Sequence, residues 1–216
     1  MKACNGIALA TFQRLPVYVR ALREMRETGA EAVSAPALAE RLGFNPSVVK
    51  KDLSCAIVSM GKPKTGYDIN GLITDIENFL GYNNAADAVL VGVGKLGSAL
   101  LGYRGFETYG LNIVAGFDAD EKVAGTTVGG KKVFGMEKLA SIIRRLHVKL
   151  AVLTTPKEAA QDTADRLTAA GIRAIWNFTP EQIKTPPTVA VKNENMAASL
   201  AVLSKQLKEI LLKEAR

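Results

Sequence analysis

The sequence predicts an α/β protein in which a small helical domain precedes a parallel sheet with helices on both faces, followed by one more helix. Three observations predict it. Helical periodicity fills most of residues 1–82, apolar strand-like runs alternate with helical patterns from Asp87 onward, and a glycine-rich loop follows the first of those runs. Alternation of strands with helices is typical of parallel sheets. We therefore predict three regions, at 1–82, 83–192 and 193–216.

The composition is that of a globular chain. Its 216 residues are 48% hydrophobic, which is enough to bury a core. The sequence has no apolar run long enough to cross a bilayer, and its first residues lack the pattern of a signal peptide, so we expect a cytoplasmic protein without a membrane partner. Cys4, Cys55 and His147 are too few and too scattered for a zinc site or a disulfide framework, so no metal is expected.

Two short helices joined by a tight turn are predicted near the amino end. An amphipathic helix over Arg14–Thr28 comes first. Ser34 then caps a helix over Ala35–Leu42, and Asn45 caps a third helix whose first residue is Pro46. Because only a short turn separates the second helix from the third, this pair is predicted to form a helix-turn-helix.

A basic hairpin is predicted after the third helix. Glycine and proline punctuate Ile57–Tyr67, as in the wing of a winged helix-turn-helix domain, and a packing helix over Ile69–Leu80 follows. The chain has a formal charge of +7, and all charged side chains from Arg41 to Lys64 except Asp52 are cationic. This patch favours an anionic partner, which we take to be double-stranded DNA. The expected contacts are Ser47, Lys50 and Lys51 in the third helix, with Lys62 and Lys64 at the wing tip.

A dinucleotide-binding motif opens the second region. The apolar strand Ala88–Val93 runs into the glycine loop GVGKLG at 92–97, and a helical pattern follows. In a Rossmann-type fold the first glycine makes the turn, the second lets the backbone approach a pyrophosphate, and the third lets helix and strand pack closely. The start of the helix then offers unpaired backbone donors to the phosphates. A glycine turn without a ligand is the other interpretation of the same motif.

An acidic residue at the end of the second strand completes the motif. The strand Asn112–Phe117 ends in Asp118, about 20 residues after the glycine loop, as the dinucleotide fingerprint requires. A carboxylate there accepts both ribose hydroxyls of an adenosine and repels a 2′-phosphate. The sequence therefore favours NAD(H) over NADP(H), although Lys122 lies close enough to weaken that preference.

Strands and helices continue to alternate beyond Asp118. The predicted pieces are a helix over Ser98–Tyr103, a helix over Met136–Arg145, a strand over Val148–Thr154, a helix over Lys157–Ala170 and a strand over Ile172–Trp176. Ligands of such sheets bind in the crevice at the carboxyl ends of the strands. The loops at 154–156 and 177–180 are therefore expected to line it, with an ordinary turn as the alternative for 154–156.

The chain ends in a long helical pattern over Asn195–Leu212. Its apolar residues fall along one stripe, made of Met196, Leu200, Leu203, Leu207 and Ile210 or Leu211. The stripe could pack within its own chain. Because the helix follows a complete sheet, we expect it instead to pack on a partner subunit.

Taken together, these motifs resemble those of the Rex family of redox-sensing transcriptional repressors over nearly the whole chain. The similar segments are RLPVYVR at 14–20, VKKDLS at 49–54, GKPKTGY at 61–67, GVGKLGSALLGYRGF at 92–106 and NFTP at 177–180, with the terminal helix. The resemblance implies a homodimer with exchanged terminal helices that is not an enzyme. It also implies that NADH and NAD⁺ compete for one site and that NADH releases operator DNA.

The resemblance also assigns residues. It implies that Tyr103 helps to tell the two bound states apart, and that Arg20 pairs with an aspartate at the start of the last helix. This chain has Asn195 at that position and Met196 where an aromatic residue or leucine is usual, and an asparagine offers only a neutral hydrogen bond. The full predicted cofactor site is Gly92, Val93, Gly94, Lys95, Leu96, Gly97, Tyr103, Asp118, Thr154, Thr155, Pro156, Asn177 and Phe178.

Two other functions share parts of this pattern. An NAD-dependent oxidoreductase would use the same glycine loop, but the sequence lacks a histidine suitably paired with a carboxylate and the tyrosine–lysine spacing of short-chain enzymes. A coenzyme A binding module shares the sheet and the glycine turn, but it leaves the basic first domain and Asp118 without a role. NADH turnover and a comparison of NADH with coenzyme A binding distinguish these from a repressor.

Overall fold

The computed structural model describes residues 7–57, 66–82 and 86–214. The chain divides into two compact units, Met1–Ala85 and Ala86–Arg216. The predicted boundaries at 82/83 and 192/193 stay predictions. Among the described residues, no helix combines the length and the apolar character that a membrane span needs.

The first unit is built mainly of helices. Its elements are α1 (Leu9–Glu27), β1 (Ala32–Val33), α2 (Ala35–Leu42), α3 (Pro46–Ala56), β2 (Tyr67–Asp68) and α4 (Ile69–Leu80). The apolar faces of the four helices meet in one buried core that includes Leu15, Leu38, Leu53 and Ile76. The prediction of α2 and α4 was correct at both ends, whereas α1 begins at Leu9 rather than at Arg14.

Side-chain caps fix the helix-turn-helix. The Ser34 hydroxyl accepts a hydrogen bond from the Ala37 amide at 3.2 Å, and the Asn45 side chain accepts one from the Ser47 amide at 2.9 Å. Gly43, between α2 and α3, adopts the left-handed conformation with φ of 67°. The side-chain caps at the first turns of α2 and α3 and the left-handed residue that ends α2 confirm the predicted pair of helices.

The predicted wing falls largely outside the described residues. Residues 58–65, which contain Lys62 and Lys64, are not described. On the carboxyl side of this segment, Tyr67 pairs with Val33 in a short antiparallel ladder between β2 and β1. This ladder ties the end of the predicted hairpin to the residue before the α2 cap.

The second unit contains a seven-stranded sheet in the order β5-β6-β4-β3-β7-β8-β9. The strands are β3 (Ala86–Val91), β4 (Leu111–Asp118), β5 (Thr127–Val128), β6 (Lys131–Gly135), β7 (Leu150–Leu153), β8 (Ala174–Asn177) and β9 (Ala190–Asn193). The helices are α5 (Lys95–Gly102), α6 (Leu139–Arg145), α7 (Lys157–Ala170) and α8 (Met196–Glu214), with 3₁₀ turns at Arg104–Tyr109 and Met136–Lys138. All neighbouring pairs are parallel except β5 with β6.

Helices cover both faces of this sheet. On β3, Val89 and Val91 belong to the core that contains the buried residues of α6 and α7. The alternate residues Ala88 and Leu90 belong to a second core with Leu101 of α5. Because successive side chains of a strand point to opposite faces, the two cores lie on opposite sides of the sheet. The predicted doubly covered parallel sheet is confirmed.

Three strands of this sheet were not predicted. β5 and β6 form a hairpin whose turn is Gly129–Gly130, both with positive φ. β9 is the sheet edge and carries mostly exposed side chains. Short edge strands lack the apolar run that identifies a central strand. The prediction of β3 was also displaced: it spans Ala86–Val91 rather than Ala88–Val93, because Gly92 at φ of 97° ends the extended conformation.

No side chain of α8 is buried. Its apolar residues are all more than half exposed, at 51% or above, including Met196, Leu200, Leu203 and Leu207. A helix with such a stripe does not complete a core in its own chain. The packing of this stripe on a partner subunit stays a prediction.

Candidate nucleotide site and nucleic-acid interface

The glycine loop is held against the next strand end by backbone contacts. The Gly92 amide donates to the Phe117 carbonyl at 2.8 Å. A Cβ on Gly92 would lie 2.7 Å from the backbone of Thr154 and Thr155, and one on Gly97 would overlap the Gly92 carbonyl oxygen. Both positions therefore require glycine for close packing, as the motif predicts.

Gly94 differs from the other two glycines of the motif. A Cβ on it would meet nothing within 4 Å. Gly94 precedes α5, and no side chain caps that helix start. The backbone is therefore open at the point where the motif predicts a pyrophosphate, and the first amide groups of α5 remain available to an anion.

The Asp118 carboxylate is oriented by backbone donors on both of its oxygens. Oδ2 accepts from the Val93 amide at 2.6 Å, and Oδ1 accepts from the Asp120 amide at 2.9 Å. Each oxygen keeps a further lone pair, because a carboxylate offers about four acceptor positions. Asp118 is half-buried at the end of β4 and is ready to accept further hydroxyl donors.

A cavity of about 560 Å³ lies at this edge of the sheet. This volume suits a nucleotide-sized ligand. The predicted residues that line it are Gly92, Val93, Gly94, Asp118, Thr154, Thr155 and Pro156. The Thr154 hydroxyl donates to the Gly92 carbonyl at 2.7 Å, whereas the buried Thr155 hydroxyl has no hydrogen-bond partner among the described residues. Thr154 thus supports the loop, while Thr155 lines the cavity with a buried hydroxyl that has no partner among the described residues.

Other residues that line the cavity were missed by sequence reasoning. They are Val91, Ala119, Asp120, Val123, Met136, Ala159, Asp162, Thr163 and Arg166. The last four residues lie on one face of α7 at helical spacing. This spacing predicts that they share a face, but the sequence does not show that this face borders the crevice. Arg166 also donates to the Met136 carbonyl at 2.9 Å, so it joins α7 to the turn after β6.

Six predicted cofactor residues do not line this cavity: Lys95, Leu96, Gly97, Tyr103, Asn177 and Phe178. The Asn177 side chain is fully buried and used internally. Its amide nitrogen donates to Glu181 and Asn193, and its oxygen accepts from the amide and hydroxyl of Thr179. Asn177 therefore shapes the loop after β8, and its contact with a nucleotide stays a prediction.

Tyr103 and Phe178 lie at the two ends of a row of aromatic rings. Ring centroids are 5.0 Å apart between Tyr103 and Phe106, 5.5 Å between Phe106 and Trp176, and 4.8 Å between Trp176 and Phe178. The Trp176 indole donates to Glu194 at 2.9 Å. The row thus starts at the exposed Tyr103, and through Trp176 it is hydrogen-bonded to Glu194, the residue that precedes Asn195.

The exposed face of α3 carries the predicted DNA contacts. Ser47, Lys50 and Lys51 are exposed, and Ser54, which was not predicted, lies on the same face. Val49 and Leu53 point into the core. The second helix of a helix-turn-helix presents such a polar face to the major groove of DNA.

A buried carboxylate holds α3 on α1. Asp52, only 2% exposed, accepts from Arg14 Nε at 2.6 Å and Nη2 at 2.8 Å, from the Tyr18 hydroxyl at 2.7 Å and from the Thr11 hydroxyl at 2.8 Å. Burial raises the pKa of the Asp52 carboxyl, but the hydrogen bonds from Arg14, Tyr18 and Thr11 outweigh it and leave that pKa below its ordinary value. Burial and the bond to Asp52 raise the pKa of Tyr18. The carboxylate is therefore charged and fully paired.

The three predicted switch residues lie on the surface. Arg20 Nε pairs with Glu24 of its own helix at 3.1 Å, and Glu24 also binds Arg41 at 3.2 Å. Hydrogen bonds from Arg41 and Arg20 lower the pKa of Glu24. Asn195 accepts from the Ala198 amide at 2.9 Å and so caps α8, and Met196 is 68% exposed. Within the described parts of the chain, no cluster of His, Cys, Asp and Glu could hold a metal ion.

Family comparisons agree with this division of the chain. Residues 83–181 match a family described as "CoA binding domain". Residues 6–54 match a family described as "Putative DNA-binding protein N-terminus". The first match covers the glycine loop and its cavity, and the second covers α1 to most of α3.

Similar proteins extend over almost the entire chain. A redox-sensing transcriptional repressor Rex from Treponema denticola is 39% identical over 91% of this chain and 93% of its own length. One from Porphyromonas gingivalis is 39% identical over 93% of this chain and 91% of its own length. The crystal structure of RSP in complex with β-NAD⁺ and operator DNA has a TM-score of 0.89 at 32% identity, covering 99% of this chain and 97% of the other. RSP in complex with β-NADH has a TM-score of 0.84 at 32% identity, covering 98% and 99%. The chain belongs to the Rex family of redox-sensing transcriptional repressors.

Proposed function

We propose that this protein binds a palindromic operator as a homodimer and leaves it when NADH replaces NAD⁺ in the crevice of the second unit. This proposal rests on the observation that one chain contains both an exposed basic face on α3 and a cavity bordered by an open glycine loop. A relative with 32% identity over the same length was solved with NAD⁺ and operator DNA together. Such a repressor acts in the cytoplasm, where bacterial DNA lies.

The residues of the cavity suit a dinucleotide. Gly94 leaves the backbone open for a pyrophosphate, the paired Asp118 carboxylate keeps acceptors for ribose hydroxyls, and Thr155 holds an unpartnered hydroxyl. The bound coenzyme supplies a nicotinamide whose charge changes with its redox state. For regulation, the DNA-free arrangement must bind NADH better than the DNA-bound one does.

The DNA contacts follow from the exposed face of α3. Ser47 and Ser54 are short polar side chains that can approach base edges; in the free chain their hydroxyls donate to Asn45 and to the Lys51 carbonyl, and they keep lone pairs that can accept. Lys50 and Lys51 supply charge for phosphates. Lys62 and Lys64 of the predicted wing would reach phosphate or an adjoining minor groove. Two copies of the chain would read two half-sites, and the dimer would set the spacing between them.

The dimer is assigned to α8. Its apolar stripe is exposed along the whole helix, and a contiguous apolar surface of that kind marks an interface. In an exchange of terminal helices, α8 of each chain packs on the other chain, so both stripes are covered at once.

The other two functions fit less well. We propose no catalytic activity. The described residues that line the cavity include no histidine, cysteine, tyrosine or lysine, and we assign the carboxylate of Asp118 to ribose binding rather than to proton transfer. Coenzyme A carries a 3′-phosphate on its ribose. Asp118 and Asp120 place two carboxylates at the ribose end of the cavity, and these disfavour an additional phosphate there.

Selection of DNA from a random duplex pool tests the proposal. The purified protein is expected to enrich a palindrome with NAD⁺ or without nucleotide and to release it with NADH. Coenzyme A at the same concentration is the control and is expected to leave DNA binding unchanged. Enrichment of no sequence would overturn the DNA assignment. A response to coenzyme A but not to NADH would overturn the nucleotide assignment.

A further inference from the structure

The Asp52 network joins two helices with different tasks. Thr11, Arg14 and Tyr18 lie on α1, whereas Asp52 lies on α3, directly after Lys50 and Lys51. Every donor to Asp52 named above comes from α1. The network therefore ties the helix that is proposed to read DNA to α1 through side chains.

Stability alone does not account for an ion pair at this largely buried place. The Asp52 side chain is 2% exposed and that of Arg14 25%, so the pair loses much of its hydration, and an apolar pair of similar volume is often as stable or more stable. The surrounding core is otherwise apolar, so an apolar pair would fit its chemistry. The two parallel hydrogen bonds from Arg14 to Asp52, called the fork below, fix the orientation of the two side chains relative to each other. They do so because a guanidinium and a carboxylate can form both bonds in one mutual orientation only.

That orientation bears on the exposed lysines. Asp52 is one of the inward-facing residues of α3, with Val49, Leu53 and Ala56. Successive residues of a helix are rotated by about 100°. If the azimuth of Asp52 is fixed, the azimuths of Lys50 and Lys51 are fixed with it. The apolar residues alone allow small rotations and sliding of α3, since hydrophobic contact is non-directional.

We propose that Asp52 is a positioning residue for DNA recognition: its fork with Arg14 sets the rotation of α3 about its axis and so aims Lys50 and Lys51. The inference rests on the proposed binding of DNA by α3. It adds that selectivity for the operator, rather than general affinity for DNA, depends on the fork. Phosphate contacts by flexible lysines tolerate a rotated helix, whereas contacts to base edges do not.

Two variants separate the fork from the rest of the network. Arg14→Lys keeps the positive charge but cannot make the two parallel bonds to Asp52. Tyr18→Phe removes one hydrogen bond to Asp52 and leaves the fork in place. We expect Arg14→Lys to weaken operator binding at least about tenfold while binding to a random duplex changes less than about threefold. Tyr18→Phe is expected to keep the wild-type ratio of operator to random-duplex affinity.

A core variant controls for lost stability. Ile76 on α4 is fully buried in the same unit, so Ile76→Ala or Ile76→Val, whichever matches the melting temperature of Arg14→Lys, has the same stability with an intact fork. Binding is measured by fluorescence anisotropy well below the melting temperature, with NADH affinity as a check on the second unit. Loss of selectivity in the matched core variant, or wild-type selectivity in Arg14→Lys, would overturn the inference.

Failure of the proposed function gives a different result. If the wild-type protein selects no operator, the assignment of α3 to DNA is wrong and the fork has no DNA role. If the wild-type protein selects an operator and Arg14→Lys selects it equally well, only the positioning role is lost. Asp52→Asn is a third variant, expected to behave as Arg14→Lys because an amide cannot accept both guanidinium bonds.

Discussion

At the residue scale, the Asp118 carboxylate is fixed in place by the protein alone. The amides of Val93 and Asp120 bind its two oxygens, so the side chain needs no reorientation to accept ribose hydroxyls. The neighbouring Asp120 also lines the cavity and adds negative charge on the same side. Both features favour an unphosphorylated ribose, which is the preference that Asp118 predicts from the sequence.

Asp118→Asn should weaken NADH binding and narrow the preference over NADPH. The asparagine oxygen can still accept from one of the two backbone amides, but the asparagine NH₂ group then faces the other backbone N–H, and the two donors repel each other. The variant also loses the negative charge that repels a 2′-phosphate. We expect about a tenfold loss of NADH affinity, the cost of one hydrogen bond to a charged group, and a smaller change for NADPH. Calorimetric titration with both coenzymes measures this. Asp87→Asn, at an exposed residue that does not line the cavity, is the matched control and should change neither affinity.

Acid should destabilise the first unit through Asp52. Its pKa is lowered in the folded protein, so the carboxylate stabilises the fold above its unfolded pKa of about 3.9, and the contribution is lost as pH falls through the lower folded value. The free energy of unfolding should therefore fall below about pH 4. Urea titrations at stepwise lower pH measure it. Asp52→Asn should remove most of this dependence; if it does not, other groups cause the acid sensitivity.

At the element scale, predictability followed the strength of local signals. The bounds of α2 and α4 were readable because side-chain caps, glycine stops and apolar periodicity coincide there, and those of α7 because Pro156 and Gly171 flank it. The bounds of β5, β6 and β9 were not, because these short strands lack the apolar run that identifies a central strand. The α8 stripe was visible as a pattern, and the structure adds that its own chain leaves it uncovered.

The candidate site was predictable to the same extent. The loops after β3, β4 and β7 border the cavity as expected, since the carboxyl ends of parallel strands share one edge of a sheet, whereas Asn177 and Phe178 after β8 do not line it. The lining residues of α7, such as Asp162 and Arg166, depend on which helix face borders the crevice. Asp52 was visible only as an acidic exception in a basic stretch, because its partners on α1 come from a distant part of the sequence.

Leu203→Glu should dissociate the dimer. Leu203 lies in the middle of the α8 stripe and is 61% exposed in the single chain, so a charge there would be buried only when two chains meet. We expect a monomer at micromolar concentrations, with the second unit still folded. Sedimentation velocity measures the mass. Lys205→Glu introduces the same carboxylate on the opposite face of α8 and should leave the dimer intact; dissociation by both variants would mean that the stripe is not the interface.

At the scale of the whole molecule, the two units have separate cores, and each has its own proposed ligand. Communication between the ligands then requires an element that both units influence. We propose α8 for this role. Its cap, Asn195, directly follows Glu194, and Glu194 accepts a hydrogen bond from Trp176 in the aromatic row that starts at Tyr103. The family resemblance pairs Arg20 of α1 with position 195. In the single chain, Arg20 forms an ion pair with Glu24 instead.

Asn195→Asp should strengthen the coupling between NADH and operator. An aspartate keeps the cap on α8 and adds a full charge for Arg20, which the neutral amide lacks. Linkage requires that NADH weaken operator binding by the same factor by which operator weakens NADH binding. We therefore expect both factors to be larger in the variant than in the wild type. Anisotropy with labelled operator measures the effect of NADH on operator binding, and calorimetry measures the effect of operator on NADH binding. Adding Arg20→Ala should return both factors to the wild-type values. A variant that changes one factor without the other would show that the two ligands do not act on a single equilibrium of the dimer.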